Sequence, residues 1–223
     1  SYFFNKKNNL PYITGKIAIS KNSLIYSKKN KKITNLKADK LTHYLRYKND
    51  SILITYKTLN KDNPKLNCRL KNMNKYSPKR IILDRNLRTN TNSYIFKTAN
   101  KDNTIFFYNK STNSKISEFK KKKIRLIKSK IGKNKKFDIL LILKKLYKIG
   151  LRNTLVEGGN ELSVTFFKKK LFNQFYLFKS SKRLSKLTEY KKFNGLSILK
   201  QNYKKRLKIK TNFGSNTVTL YKK

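Results

Sequence analysis

The sequence holds one cysteine, one histidine, three prolines, seven glycines, ten acidic residues and no tryptophan. A lone Cys68 excludes an intrachain disulfide and a cysteine-based zinc site. A lone His43 excludes the usual histidine-rich metal sites and leaves a Ser–His–Asp triad without support. No apolar run approaches the ~20 residues of a membrane-spanning helix, and no signal-peptide core opens the chain, which reads as cytoplasmic. Ser1 is not an initiator methionine, so the sequence is expected to be part of something longer.

What is abundant is lysine. Fifty-seven basic residues against ten acids give a formal net charge of +47 over 223 residues. A basic face neutralises phosphates and releases counterions, so a basic nucleic-acid-binding protein is one reading. Three features count against it. Only nine of the 57 basic residues are arginine, the side chain that clamps phosphates and reads bases with a bidentate fork. The lysines are spread along the whole chain and form no stripe. They also come with many Asn, Ile, Phe and Tyr residues, the set that AT-rich codons encode, so base bias with lysines on solvated faces is the preferred explanation. Acids and glycines at motif positions are correspondingly informative.

Along the chain, residues 11–20 alternate and read as a strand, followed by a polar loop, KNSLIYSKKNKK. Thr34 or Asn35 can cap a helix running to about Lys48, with His43 on it as a packed or surface residue. SILITYKTL (51–59) reads as a buried strand, and the loop NKDNPKLNCRL follows. Residues 79–85, 104–109 and 124–127 read as further strands. Residues 137–149 form an amphipathic helix closed by Gly150. Late strands are expected at 173–179, 205–211 and 217–221, the last two an antiparallel pair around Gly214. The lysine clusters at 120–123 and 168–170 read as solvated faces or loops. Alternating strands and helices predict an α/β fold with a mostly parallel central sheet flanked by helices and a C-terminal antiparallel hairpin.

The most informative stretch is residues 154–167, TLVEGGNELSVTFF. An apolar strand stops at Glu157, a Gly-Gly pair follows, and a helical pattern begins at Leu162. The glycines are expected to take φ > 0 and admit a ligand closely, and the helix start suits a phosphate. Glu157 falls at the carboxyl end of a strand, where open α/β sheets place ligands.

Several segments together resemble the reductase domain of riboflavin biosynthesis, the C-terminal half of the bacterial bifunctional deaminase–reductase, which has a dihydrofolate-reductase-like fold. LPYITGKIAIS is similar to its first strand. KKIT, HYLRYKNDSILI, KTLNKDNPKLNCRL, RIILD and LVEGG match its later motifs in order over residues 10–180. Residues 1–10 resemble the linker from a deaminase half, leaving 11–223 as the reductase domain. The chain holds no His-x-Glu or Pro-Cys-x-x-Cys signature and by itself is not expected to deaminate.

The resemblance implies NADPH as cofactor, no metal, a homodimer, and hydride delivery to C1′ of 5-amino-6-(5-phosphoribosylamino)uracil. It places Lys16 and Glu157 at the reacting centre, and Asn30, Arg46, Leu66, Arg69 and Glu157 against the substrate. It assigns Ala18, Ile19, Lys32, Thr58, Asp62 and Arg85 to the cofactor. Gly159, Asn160, Glu161, Leu162, Ser163, Val164 and Thr165 become its pyrophosphate turn and helix start. The chain departs from the family at Ser20-Lys21-Asn22-Ser23 (usually Ser-Leu-Asp-Gly), at Lys32 (usually Trp) and at Arg85 (usually Ser). Arg85 could sit on the cofactor's 2′-phosphate. A reductase of the same fold acting on another pteridine or pyrimidine is the second reading.

Overall fold

The computed structural model describes residues 1–29, 33–132 and 134–223. In chain order the first half holds α1 (Tyr2–Asn8), β1 (Tyr12–Ile19), β2 (Leu24–Ser27), α2 (Leu36–Tyr47), β3 (Ser51–Thr55), α3 (Tyr56–Asp62), β4 (Lys79–Leu83), α4 (Tyr94–Lys97) and β5 (Thr104–Tyr108). The second half holds α5 (Asn113–Lys121), β6 (Arg125–Lys128), α6 (Ile139–Lys148), β7 (Asn153–Val156), α7 (Asn160–Lys168), β8 (Gln174–Ser180), β9 (Tyr190–Lys192), α8 (Leu196–Asn202), β10 (Lys205–Lys208) and β11 (Asn216–Lys222). The fold is α/β with mostly parallel pairing, helices between the strands, and antiparallel strands at the C-terminus.

Two compact units divide the chain. The first comprises Ser1–Tyr12 with Arg46–Thr154. Its strands β3, β4, β5 and β6 pair in parallel in that order. Parallel neighbours need a crossover, and α3, α4 and α5 supply it. Ile52, Leu53, Ile54, Ile81, Ile82, Ile105, Phe106 and Phe107 are all inaccessible, the continuous apolar run that a sheet covered on both faces requires. The expected strand over 51–59 stops at Thr55. The Thr55 hydroxyl accepts from Thr58 N at 3.4 Å and turns the chain into α3, whose Leu59 is fully buried. The lysine cluster at 120–123 ends a helix that Thr112 caps; Phe119 roots it, 4.9 Å from Phe96 and 5.0 Å from Phe106 between ring centroids. The opening segment forms α1, held where Asn5 Nδ2 donates to Leu10 O at 2.8 Å and Arg152 O at 3.0 Å.

The second unit comprises Ile13–Leu45 with Leu155–Lys223. Here β1 pairs in parallel with β8, and β8, β11 and β10 follow antiparallel, so the expected hairpin is present with Gly214 at φ 63. The segment KNSLIYSKKNKK is not all loop: Leu24–Ser27 is a strand. Leu24 is fully buried and the antiparallel partner is β9, remote in sequence, so local pattern alone does not reveal it. In the turn before it, Ser23 sits at φ 61 where the resembled family has glycine. Asn22 fastens that turn, donating to Leu184 O at 2.9 Å and accepting from Leu184 N at 3.1 Å. Asn35 caps α2, accepting from Ala38 N at 3.0 Å.

The core of this unit is aromatic: Phe166, Phe167, Phe172, Phe175 and Phe193 are buried together with Tyr203, whose hydroxyl donates to Phe172 O at 3.0 Å. A Cβ on Gly15 would overlap Phe175 and Phe172, so the strand can pass these rings only as glycine. Burial pushes the Tyr203 hydroxyl from 10.0 up to about 12. The unfolded tyrosine ionises near pH 10 while the folded one keeps its proton, so this group's stability is complete below pH 10 and is lost as pH rises to about 12. Paired denaturant melts of wild type and Tyr203→Phe should show a stability gap that is constant below pH 10 and shrinks above it, by up to about 2–3 kcal/mol. A gap independent of pH would contradict the burial.

Candidate functional site

In the second unit β1 carries Lys16, Ala18 and Ile19. Successive side chains alternate faces, so Lys16 and Ala18 share one face and are half-buried, while Ile19 points into the core. Lys16 Nζ lies 5.0 Å from the centre of the Phe178 ring on β8. The other neighbour of β1 is β7, whose final residues Leu155 and Val156 are buried and lead to the half-buried Glu157.

The glycine pair works differently from the expectation of positive φ. Gly159 has φ −68, and Gly158 is not among the positive-φ residues either. Gly158 is required by packing: a Cβ there would lie 2.6 Å from Leu162 Cδ2. The close approach is that of α7 to its own leading turn. Within α7, Leu162 and Ser163 are buried and Ser163 Oγ donates to Gly158 O at 3.3 Å. Thr165 Oγ1 donates to Glu161 O at 2.8 Å, and Asn160 Oδ1 accepts from Asn194 N at 2.8 Å. These side chains hold the helix, while Gly159 gives its first turn no side-chain cap. The first-turn N–H groups are therefore left to pair with a group other than a capping side chain, and an anion suits them chemically.

In the first unit Thr58 and Asp62 lie on α3. Thr58 helps to cap that helix, its hydroxyl 3.3 Å from that of Thr55, and Asp62 is exposed at the helix end. The loop beyond is fixed in shape. Leu66 is 2% exposed at φ 55, an uncommon conformation for a leucine, and Cys68 N donates to Ser77 Oγ at 3.0 Å. Asn67 organises the expected substrate arginines. Arg46 Nη1 donates to Asn67 O at 3.1 Å, and Arg69 Nη1 donates to Asn67 Oδ1 at 2.9 Å. Two guanidinium groups tied to one residue suit a phosphate monoester. Asn67 was not among the expected residues, and nothing in its sequence context distinguishes it from the chain's many other asparagines.

Arg85, expected on a cofactor phosphate, donates from Nε to Asn86 Oδ1 at 2.8 Å and from Nη1 to Lys135 O at 2.6 Å. Close by is a cleft of about 700 Å³ that sequence reasoning missed, with Arg88, Lys110, Ser111, Thr112 and Lys115 among its lining residues. Its one sequence signal was Asp84, a scarce acid at the end of a strand. The buried carboxylate accepts from Arg88 N at 2.8 Å, Thr89 N at 2.7 Å and Thr89 Oγ1 at 2.8 Å. Asn30 and Lys32 lie outside the described residues. Among the described residues no group of three or more His, Cys, Asp or Glu could hold a metal ion, and no helix is long and apolar enough to cross a membrane.

The chain is 27% identical over 215 residues to the riboflavin biosynthesis protein RibD of Aquifex aeolicus, covering 96% of this chain and 58% of that protein. It is 30% identical over 165 residues to the 2,5-diamino-6-ribosylamino-4(3H)-pyrimidinone 5′-phosphate reductase of Debaryomyces hansenii, covering 68% of this chain and 67% of that one. Among solved structures, Acinetobacter baumannii RibD superimposes with a TM-score of 0.77 at 17% identity, over 99% of this chain and 60% of that one, which shows a shared fold. The chain thus spans a little over half the length of these two bacterial RibD proteins. The model of the RibD C-terminal domain matches residues 11–215, nearly the whole chain and every motif segment described above, and the protein belongs to that family.

Proposed function

We propose that this chain is an NADPH-dependent reductase of riboflavin biosynthesis that converts 5-amino-6-(5-phosphoribosylamino)uracil to its ribitylamino product. One observation carries the reading: within one unit, a half-buried Glu157 ends a strand next to the strand bearing Lys16, and it leads into a helix whose first turn no side chain caps. NADPH supplies the hydride that reaches C1′ of the ring-opened ribosylamino group. Glu157 accepts hydrogen bonds from the ribose hydroxyls and steers the imine nitrogen, and Lys16 adds a fixed positive charge on that unit's β1. Ala18 and Ile19 would hold the nicotinamide, and the start of α7 would receive the pyrophosphate. Arg46 and Arg69 take the substrate's 5′-phosphate.

The test is turnover of the purified chain with that uracil and NADPH, in moderate salt with competitor DNA present. NADPH-linked formation of the ribitylamino product supports the reading. Loss of nucleotide binding on adding DNA or salt would instead indicate a general polyanion surface. The 30% identity to the Debaryomyces hansenii reductase favours one second reading, that the undeaminated diaminopyrimidinone phosphate is the substrate, so both pyrimidines are assayed. Arg69→Gln is expected to raise KM for the phosphorylated substrate about tenfold, with NADPH affinity unchanged; an unchanged KM would remove Arg69 from the substrate site. The same reading makes the working enzyme a cytoplasmic homodimer and the reductase half of a deaminase–reductase.

A further inference from the structure

Arg46 and Arg69, both in the first unit, end in long rotatable side chains, and ordering such a chain around a phosphate costs rotamer entropy. Meeting that cost before the ligand arrives raises affinity. The loop 66–69 is built to do so. Leu66 keeps φ 55 while 2% exposed, so packing enforces a backbone shape that a leucine seldom adopts. Asn67 follows and holds the two guanidinium groups with different atoms. Its carbonyl oxygen accepts from Arg46 Nη1 at 3.1 Å, and its side-chain Oδ1 accepts from Arg69 Nη1 at 2.9 Å. Arg46 is buried and restrained by packing as well; Arg69 is exposed, so its placement depends more on hydrogen bonds.

The loop is latched from the segment that leads into β4. Cys68 is fully buried, and its N–H donates to Ser77 Oγ at 3.0 Å. The same hydroxyl donates to Asn74 O at 2.7 Å, and Ser77 N donates to that oxygen at 3.2 Å, so the short helical turn Asn74–Tyr76 orients it. Without the hydroxyl, a buried N–H immediately after Asn67 loses this acceptor, and the loop must move to regain one. The latch therefore acts on the backbone of Asn67, which holds Arg46, and on the direction of its side chain, which holds Arg69. Neither Asn67 nor Ser77 is among the residues expected from the sequence to touch a ligand.

We propose that Asn67 and Ser77 are positioning residues for a phosphate monoester: Asn67 sets Arg69 through its side chain and Arg46 through its backbone, and Ser77 holds the loop that carries it. The proposal rests on the reading that the two arginines take a sugar phosphate, and it deepens that reading. It is tested by calorimetric titration of ribose 5-phosphate and ribose, in moderate salt, against wild type, Asn67→Ala, Ser77→Ala, Ser77→Thr, Arg69→Gln and the doubles of Arg69→Gln with each alanine variant. Wild type is expected to prefer ribose 5-phosphate to ribose, and Arg69→Gln to weaken the phosphate ester about tenfold. Asn67→Ala and Ser77→Ala should each weaken it about fivefold, and Ser77→Thr should restore it. In the Arg69→Gln background Asn67→Ala should add nothing, because its side chain acts through Arg69, while Ser77→Ala should still weaken binding through Arg46. Full affinity in Asn67→Ala, or a loss that adds in full to that of Arg69→Gln, overturns the role of Asn67. Failure of Ser77→Thr to restore binding overturns the role of the hydroxyl. If Arg69→Gln binds ribose 5-phosphate like wild type, the phosphate reading of the arginines fails and the proposal falls with it.

Discussion

Replacing Glu157 by glutamine is expected to leave NADPH affinity and melting temperature unchanged and to lower turnover by about 10²-fold or more. The substitution keeps size and polarity and removes the negative charge. A glutamine can still accept one hydrogen bond, but it cannot accept from two hydroxyls with equal strength, nor answer the proton demand at the imine nitrogen. Its place gives the side chain no simple packing role: it is half-buried, directly after the fully buried Leu155 and Val156. Wild-type turnover in the variant would remove Glu157 from the chemistry. Lost turnover with lost NADPH binding would make it a cofactor-site residue instead.

The largest expected effect on stability is that of Phe167→Ala, about 3–5 kcal/mol. Phe167 is fully buried, and its ring centroid lies 5.0 Å from Phe172, 4.7 Å from Phe175, 6.3 Å from Phe193 and 5.9 Å from Tyr203. These rings come from α7, β8 and the segments around α8, so truncation opens a cavity that no single element can close. A fall in melting temperature of about 10 °C is expected. Phe167→Leu, which refills much of the volume, should lose visibly less. If Phe167→Ala melts with the wild type, the aromatic cluster is not what anchors α7, and the placement of the helix start beside Glu157 loses its support.

How far the sequence revealed this molecule depended on how local each cause was. β1, β8 and α6 were legible because their burial largely follows a period of 2 or 3.6 within one segment, and β4 and β5 because each is a short continuous apolar run. β2 and α5 were not. β2 owes its pairing to β9, more than a hundred residues away, and the helical face of α5 is one phenylalanine among lysines. The strand expected over 51–59 ended early because a threonine hydroxyl can cap a helix as readily as it can sit in a strand. At the candidate site the Glu-Gly-Gly turn was visible because acids and glycines are scarce here, but its reason was misjudged: Gly158 answers to Leu162, not to φ.

The central claim is that this chain itself passes hydride from a nicotinamide to a sugar carbon. The most direct measurement incubates the purified protein with the phosphoribosylamino pyrimidine and NADPH deuterated at both C4 positions of the reduced ring, and follows the label by mass spectrometry and NMR. The account predicts one deuterium in the product, at C1′ of the ribityl chain. A ribityl product without deuterium at C1′, or no reduction of either pyrimidine by a folded protein, would contradict it.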